Sequence, residues 1–316
     1  MKTITILVPC YNEEQSLPLL YQALNDVVVG IDEYEFEYLF VNDGSQDHTL
    51  NILRTLREQD KRVSYMDLSR NFGKENAMLA GFDYAKGDAV IIMDADLQHP
   101  PTLIPEMLAI WNDGEVQDVY AKRITRGKES WLRKNLSLLY YKMLDKSTRF
   151  EILQNVGDFR LLDRQAIEAL KNLRETERYT KGMYCWIGFN KKEILFEQQD
   201  RVAGESKWNF FSLLNLAVEG LTSFTVAPLR IAGYVGGGVA FISFLYALYY
   251  VVKTLIYGDP VAGFPTLIIV ILFMGGLQLL ALGILGEYVG RIFNEVKHRP
   301  VYFAKEYNGE KVLGIR

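Results

Sequence analysis

Cysteine and histidine are scarce in this sequence, and an excess of positive charge is missing. The 316 residues include two cysteines, Cys10 and Cys185, and three histidines, and 35 basic residues against 39 acidic ones give a net charge of −4. The distant cysteines have no C-x-x-C spacing, so neither a disulfide framework nor a zinc site is indicated, and reducing, cytoplasmic surroundings fit best. Without a basic excess, a nucleic-acid partner is not expected.

Charge is also missing from two long stretches in the last third of the chain. Residues 231–252 and 261–286 contain no charged side chain, and either stretch is long enough to cross a hydrocarbon core of about 30 Å. Buried helices of a soluble core are the alternative, but two such runs in succession favour membrane spans. We therefore predict transmembrane helices over 231–257 and 261–290, followed by a cytoplasmic tail over 291–316.

The charges that flank these two runs predict how the chain crosses the membrane. Basic residues precede the first run and follow the second, at Arg230, Arg291, Lys297 and Arg299. The connection between the runs holds only Lys253 and Asp259. The positive-inside tendency then places both termini and everything before the first run on the cytoplasmic face of the plasma membrane. Glycines at 236–238 and 275–276 would allow close helix approach within or between subunits, as in a homo-oligomer, or simply flexible packing.

The region before these runs has the pattern of an α/β domain, which we place at residues 1–205. Short apolar runs at 4–8, 38–41, 63–68 and 90–93 read as strands, and the first is too short for the core of a signal peptide. The stretches between them, 17–29, 49–60 and 74–85, have the three-to-four spacing of crossover helices. A region over 206–230 links this domain to the spans, and its apolar face suits a helix in the membrane interface or one packed on the domain core.

Polar residues follow the predicted strands, at the sheet edge where ligands of such sheets bind. The sequence Asn42-Asp43-Gly44-Ser45 follows the second strand, and its carboxylate could accept hydrogen bonds from a nucleoside, although such a motif can also be a turn alone. The fourth strand runs into Asp94-Ala95-Asp96-Leu97-Gln98-His99. In an extended stretch, Asp94, Asp96 and Gln98 would face one way as oxygen ligands for Mg²⁺ or Mn²⁺. The alternative is a solvated acidic turn. His99 is a further candidate ligand or a turn residue.

The order of these motifs resembles a known family. The segments PCYNE, VNDGS, SRNFGKENAMLAGF, DADLQHPP and GDFRLLDR are similar to those of family 2 glycosyltransferases of the GT-A fold. With the two trailing spans and the segment GEYVGRIFNEVKHRPVY, the resemblance is to the polyprenyl-phosphate glycosyltransferases, which include bactoprenol glucosyltransferases and relatives of dolichol-phosphate mannose synthase. It covers almost the whole chain. The fold it implies is a Rossmann-like mixed sheet followed by two transmembrane helices.

The resemblance also implies roles for individual residues. A nucleoside pocket would be formed by Pro9, Tyr11, Glu13 and Asp43, with Lys74 nearby. A metal would be held by Asp94, Asp96 and Gln98. Asp94 could also contact the donor. Asp158 would lie at the reaction centre and orient groups there. Phosphate or acceptor contacts would come from Arg123, Arg133, Arg201, Ser206 and Lys207. Arg201 and Lys207 could equally well anchor the protein to anionic lipid head groups.

The expected activity is a metal-dependent, inverting transfer of one hexose, glucose from UDP-glucose, to a polyprenyl monophosphate for cell-envelope glycosylation. UDP-GlcNAc, UDP-galactose and GDP-mannose are alternative donors. Processive synthases of the superfamily carry a Q-x-x-R-W motif that this sequence lacks. A flippase and a downstream glycosyltransferase would be functional partners. Two other classes remain open: a membrane transporter, which leaves the α/β domain unexplained, and a noncatalytic scaffold, which the intact D-x-D motif disfavours.

Overall fold

The computed structural model describes residues 1–124, 153, 156–197, 227–257 and 263–312. The chain divides into two compact units. The first, here called the sheet unit, combines Met1–Ala217 with Arg299–Arg316. The second, here called the helical unit, is Val218–His298. Each unit is considered by itself.

The first part of the sheet unit alternates strands with helices, as the sequence predicts. Its strands are β1 (Lys2–Cys10), β2 (Tyr34–Asn42), β3 (Val63–Leu68) and β4 (Ala89–Ile92). Its helices are α1 (Leu17–Val28), α2 (Thr49–Gln59) and α3 (Lys74–Tyr84). The prediction of these elements is confirmed, with helix ends that agree to within a residue, because amphipathic spacing and parallel crossovers constrain each other.

β1 is the central strand of this part of the sheet. It pairs in parallel with β2 on one side and β4 on the other. Its residues from Ile4 to Val8 are almost all fully buried, because helices cover both faces of a parallel sheet and leave no polar face along such a strand. Cys10 pairs with Asn42, and Asn42 pairs with Asp67 of β3. The carboxyl ends of three strands therefore meet at one edge.

The second part of the sheet unit adds antiparallel strands. After a 3₁₀ turn at Pro101–Leu103 come α4 (Ile104–Asn112), β5 (Asp118–Arg123), β6 (Val156–Asp163), α5 (Arg164–Asn172), α6 (Thr180–Trp186) and β7 (Lys191–Phe196). β6 runs antiparallel to both β4 and β5, and β7 runs parallel to β5. The sheet is therefore mixed, as predicted.

Two further strands come from the end of the chain. They are β8 (Ala304–Tyr307) and β9 (Glu310–Lys311), and β8 pairs antiparallel with β3. The described sheet has the order β7-β5-β6-β4-β1-β2-β3-β8-β9. The sequence prediction treated residues 291–316 as a tail, whereas residues 304–311 extend the sheet. Unpaired backbone groups at the free edge of β3 explain this, because such an edge accepts another strand even when that strand is short and polar.

The helical unit contains two long helices, α7 (Ala227–Tyr257) and α8 (Phe264–Val296), which contact each other. Among the described residues, one segment is long and apolar enough to cross a membrane, Phe273–Val296, with a mean hydropathy of 1.3. Within the described residues, the apolar stretch found in α7 is shorter, Ile231–Tyr246. Both predicted helices are present, but their assignment as two spans rests on the sequence. Of the predicted interfacial region, residues 206–226 lie outside the described residues, and residues 227–230 begin α7.

Candidate active site

The turn after β2 is fixed by a neighbouring loop over residues 69–73, here called the donor loop. The Asp43 carboxylate is buried and accepts hydrogen bonds from the backbone N–H groups of Phe72 at 2.7 Å and Gly73 at 2.9 Å. Burial raises the pKa of Asp43, and the two backbone N–H groups and Arg70 only partly offset this rise. The Asp43 carboxylate is therefore hydrogen-bonded to the donor loop, in addition to following the end of β2.

Gly44 permits this close approach. Its φ is +66°, in the left-handed region that favours glycine, and a Cβ at this position would overlap the backbone of Arg70 and Asn71. The turn after β2 and the donor loop therefore pack backbone against backbone. The sequence predicts the turn, but it gives no sign of this partner.

The loop after β1 is linked to the same turn. The backbone N–H of Asn12 donates to the Ser45 hydroxyl at 2.9 Å, and the Asn12 side-chain oxygen accepts from the Gln46 N–H at 2.8 Å. The Glu13 N–H donates to the Thr49 hydroxyl at 2.8 Å. These bonds bring the predicted nucleoside residues Pro9, Tyr11, Glu13 and Asp43 to one edge of the sheet, with the Tyr11 side chain exposed.

The D-x-D segment is a turn rather than the extended stretch that the sequence predicts. β4 ends at Ile92, Ala95 and Asp96 form a turn, and Leu97 has a φ of +59°. The Gln98 backbone N–H donates to Asp96 Oδ1 at 3.1 Å. The alternation argument for Asp94, Asp96 and Gln98 is therefore wrong in its geometry, because the strand stops before the motif begins. The proposed ligand role of the Gln98 side chain stays a prediction.

The turn nevertheless gathers possible metal ligands. One ligand atom from each of Asp94, Asp96 and His99 lies within 4.8 Å of the others. His99 is 2% exposed, and neither of its ring nitrogens has a hydrogen-bond partner in the structure as described. Burial, helped by Arg123, lowers the pKa of His99 against the opposing pull of Asp94 and Asp96, which favours the neutral imidazole that binds metals. Two carboxylates and a neutral imidazole fit a divalent cation such as Mn²⁺ or Mg²⁺.

Lys74 joins this acidic cluster to Asp158. Its Nζ lies 2.6 Å from Asp94 Oδ1 and 2.6 Å from Asp158 Oδ2. The strand register explains the meeting, because Ile92 of β4 pairs with Arg160 of β6, so that Asp94 and Asp158 both lie two residues beyond that pair. Burial alone would lower the pKa of Lys74. Together the two carboxylates have the larger effect, and they hold the Lys74 pKa well above its usual range. Lys74 therefore sits at the acidic cluster rather than only beside the nucleoside pocket.

Asp158 is kept ionised by its surroundings. Burial alone would raise its pKa, but Lys74, Lys181 and Arg160 hold the Asp158 pKa well below its usual range. Arg160 is itself buried, pairs with Asp118 at 2.9 Å and stacks 3.6 Å from the centroid of the Tyr184 ring. An ionised carboxylate of this kind is a poor proton acceptor at neutral pH.

Two residues beside this centre were missed by the sequence analysis: Glu75 and Lys181. Glu75 accepts a hydrogen bond from the backbone N–H of Thr180 at 3.2 Å. Burial, followed by the charge of Asp158, raises the Glu75 pKa to about 8. Glu75 and Lys181 belong to helices far apart in the chain, so no local motif brings them together. The only sequence signal was that Glu75 follows Lys74 in the GKEN segment.

Arg123 is the one predicted phosphate-binding residue within the described part of the chain. It ends β5 near His99, since a Cβ placed on Gly157 would lie 3.8 Å from Arg123 Nη2 and 3.5 Å from His99 Nε2. It therefore lies at the same edge as the acidic cluster. Arg133, Arg201, Ser206 and Lys207 lie outside the described residues.

A mixed α/β sheet with an acidic cluster at one edge fits a GT-A-type glycosyltransferase. Comparison with known families agrees: the model for glycosyl transferase family 2 matches residues 5–171, and the model for the GtrB C-terminal hairpin matches residues 227–292. The chain belongs to glycosyl transferase family 2, and it is a glycosyltransferase.

Individual relatives match over almost the full chain. The bactoprenol glucosyl transferase of Shigella phage SfV is 43% identical over 96% of this chain and 98% of its own length. The prophage bactoprenol glucosyl transferase homolog of Escherichia coli K12 is 40% identical over 96% of this chain and 98% of its own. A structure of glucosyl-3-phosphoglycerate synthase from Mycobacterium tuberculosis with Mn²⁺ and UDP-glucose aligns at 16% identity, with a TM-score of 0.46, over 70% of this chain and 78% of that chain.

Proposed function

We propose that this protein transfers a single glucose from UDP-glucose to a polyprenyl monophosphate at the cytoplasmic face of the membrane. The observation that carries the proposal is the bridge from Asp94 through Lys74 to Asp158, beside the acidic cluster at the sheet edge. The relatives named as bactoprenol glucosyl transferases support the sugar and the class of lipid. The product is a lipid-linked sugar for cell-envelope glycosylation.

The donor's nucleoside would bind at the turns that follow β1 and β2. Tyr11 offers an exposed ring for the base, and Pro9, Glu13 and Asp43 line the same edge. Asp94 and Asp96, with His99 or Gln98 as a third ligand, would hold Mg²⁺ or Mn²⁺. When bound there, a cation would supply Lewis-acid stabilisation to the diphosphate leaving group. In this role the two aspartates bind and orient the donor.

The residues around Lys74 would place the anomeric carbon and the attacking oxygen. A phosphate monoester carries a charge of about −1.5 to −2 near neutral pH, so its oxygen attacks without a base. Its new bond to the anomeric carbon forms as the bond to the UDP oxygen breaks, and UDP leaves with the electron pair. Direct attack inverts the configuration at that carbon. Asp158, ionised and paired with Lys74, orients the groups rather than removing a proton.

Basic residues would receive the acceptor phosphate. Arg123 lies at the correct edge for this contact, and Arg133, Arg201, Ser206 and Lys207 are further candidates from the sequence. A guanidinium can bind a phosphate through two parallel hydrogen bonds, which fixes the attacking oxygen as well as its charge. The acceptor is thereby held opposite the leaving group.

The helical unit would attach the enzyme to the membrane that contains its acceptor. We assign α7 and α8 as two spans with both termini in the cytoplasm, on the basis of their charge-free runs and flanking basic residues. The lipid-linked product then forms on the cytoplasmic face, so a flippase and a further glycosyltransferase would use it in turn. A homo-oligomer is consistent with the glycine-rich segments of both helices.

A donor panel tests the proposed function. Purified full-length protein in uncharged detergent is given polyprenyl phosphate and, separately, UDP-glucose, UDP-galactose, UDP-GlcNAc and GDP-mannose with Mg²⁺ or Mn²⁺. The proposal expects glucose in the lipid fraction and β configuration at the new linkage. A different preferred sugar would overturn the donor assignment. Metal-dependent binding of UDP without any transfer would instead favour a noncatalytic scaffold.

A further inference from the structure

The segment after the helical unit lies against the donor loop. The backbone carbonyl of Phe303 accepts a hydrogen bond from the Ser69 N–H at 2.9 Å, and the Phe303 ring lies 6.3 Å from that of Phe72, centroid to centroid. Phe72 is also the residue whose N–H donates to the Asp43 carboxylate. One residue of the last segment therefore touches both ends of the loop that holds Asp43 in place.

A second contact reaches the same turn through β3. The Lys305 ammonium lies 3.5 Å from Asp67 Oδ2, and Asp67 Oδ1 accepts a hydrogen bond from the Asn42 side chain at 2.7 Å. Asn42 directly precedes Asp43. The pairing of β8 with β3 shifts register between Asp67 and Leu68, next to these contacts. A bulge of this kind redirects the strand locally.

Other bonds fix the segment at points away from the donor loop. The Tyr302 hydroxyl donates to Asp83 Oδ2 at 2.7 Å, near the end of α3, and Glu306 pairs with Arg54 of α2 at 2.7 Å. The Asn308 side-chain oxygen accepts from the Tyr65 N–H at 2.8 Å. The segment is thus held to the sheet without Phe303, and Phe303 as a residue is 44% exposed. A half-exposed ring contributes less to folding than a buried one.

We infer that Phe303 is a positioning residue for the nucleotide and that its contacts with the donor loop support the donor site. It acts through Phe72, whose N–H orients the Asp43 carboxylate, while Arg70 stacks 4.0 Å from the centroid of the same Phe72 ring. The inference rests on the proposed function, since it takes the turn at Asp43 to be the nucleoside pocket. The end of the chain is then part of the donor site as well as of the sheet.

The test compares Phe303→Ala with two matched variants in the full-length protein. Phe303→Tyr keeps the ring, and Tyr302→Phe removes a bond that holds the same segment elsewhere. Phe303→Ala should raise the KM for UDP-glucose about three- to tenfold and change kcat by less than about twofold, because it weakens donor binding that is common to ground and transition states. Phe303→Tyr should have the wild-type KM, because it keeps the ring. Tyr302→Phe should lower Tm without changing KM.

Hydrogen exchange of the donor loop gives a readout that does not depend on the sugar donor. In Phe303→Ala the backbone amides of Phe72 and Gly73 should exchange faster, and in Tyr302→Phe they should not. An unchanged loop in Phe303→Ala would overturn the inference, as would an equal rise in KM in Tyr302→Phe. Faster exchange with an unchanged KM would overturn the role in donor binding. A wild-type protein that binds no UDP, with the loop still loosened by Phe303→Ala, would instead count against the proposed function.

Discussion

The sheet unit and the helical unit differ in the burial of their apolar side chains and in the space around their glycines. In the sheet unit the large apolar side chains of β1 are fully buried, and a Cβ added at Gly81 would overlap the side chain of Leu7. In the helical unit Leu255 is 81% exposed, and nothing among the described residues lies within 4 Å of a Cβ added at Gly283. The sheet unit completes its own core. The helical unit leaves its apolar surface for another partner, which lipid would supply.

Charge follows the same division. The sheet unit contains ion pairs with at least one buried partner, such as Arg160 with Asp118 and Lys74 with Asp158. Burying an ionised group is costly unless it is paired. The pair of Lys74 and Asp158 lies beside the acidic cluster at the sheet edge. Variants in the two units should differ accordingly, and the predictions below run from the largest effect on the transfer rate to effects on stability.

Asp96→Asn should have the largest effect. It removes the charge of a proposed metal ligand, so kcat for glucosyl transfer should fall about a thousandfold, the equivalent of several kcal/mol of transition-state stabilisation. Asp113→Asn makes the same change at an exposed position after α4 and should leave the rate unchanged. Near-normal transfer by Asp96→Asn at saturating Mn²⁺ or Mg²⁺ would contradict the metal assignment.

Lys74→Met should come next. The substitution removes the cation between Asp94 and Asp158 and leaves two facing carboxylates, so kcat should fall about ten- to a hundredfold as the site loses its orientation. The exposed Lys86 offers the control variant Lys86→Met, with an unchanged rate. A rate loss shared equally by the two variants would show that total charge, and not this bridge, is responsible.

A pair of glycine substitutions tests the contrast between the units directly. Gly81→Ala in α3 forces a methyl group against buried Leu7 and should destabilise the protein by about 1–3 kcal/mol, measured as a lower Tm of the sheet unit. Gly283→Ala in α8 meets no described atom and should change stability by less than about 1 kcal/mol, towards greater stability, because alanine favours helix. Equal losses in both variants would mean that the helical unit is packed more tightly than its described residues show.

The last prediction concerns the dependence of stability on pH through Glu75. Its pKa is raised from 4.5 to about 8 in the folded protein, so the folded state binds more protons than the unfolded state between these values, and stability falls as pH rises through this window. Glu75→Gln cannot ionise and keeps an acceptor for the Thr180 N–H. Its Tm should therefore exceed that of the wild type increasingly from pH 5 to pH 8. Parallel Tm curves for the two proteins would refute this assignment.

Much of the fold could be predicted from the sequence, because strands and helices of a parallel α/β domain each carry a local pattern. The strand-end positions of Asp43 and Asp94 followed from the same pattern. The conformation of the D-x-D segment could not be predicted in this way, because residue spacing does not indicate the positive φ of Leu97. β8 was missed because its sequence, AKEY, has no apolar alternation, and it becomes a strand only through pairing with β3.

The site was predictable where its residues form motifs and hidden where distant segments meet. Lys74 and Asp158 are separated by 84 positions, and only the register of β4 with β6 shows that one lysine can reach both Asp94 and Asp158. The roles of Glu75 and Lys181 depend in the same way on where α6 packs. The last segment also bears on truncation: a protein cut near residue 230 would lose β8 and β9 together with the helical unit.

The most direct test of the central claim is a single-turnover transfer experiment. Full-length protein in excess over UDP-[¹⁴C]glucose is mixed with polyprenyl phosphate and Mn²⁺, and the label in the lipid fraction is followed together with released UDP. We predict lipid-linked glucose and UDP in equal amounts, both absent in Asp96→Asn. UDP release without labelled lipid, or labelled lipid formed equally well by Asp96→Asn, would contradict the account.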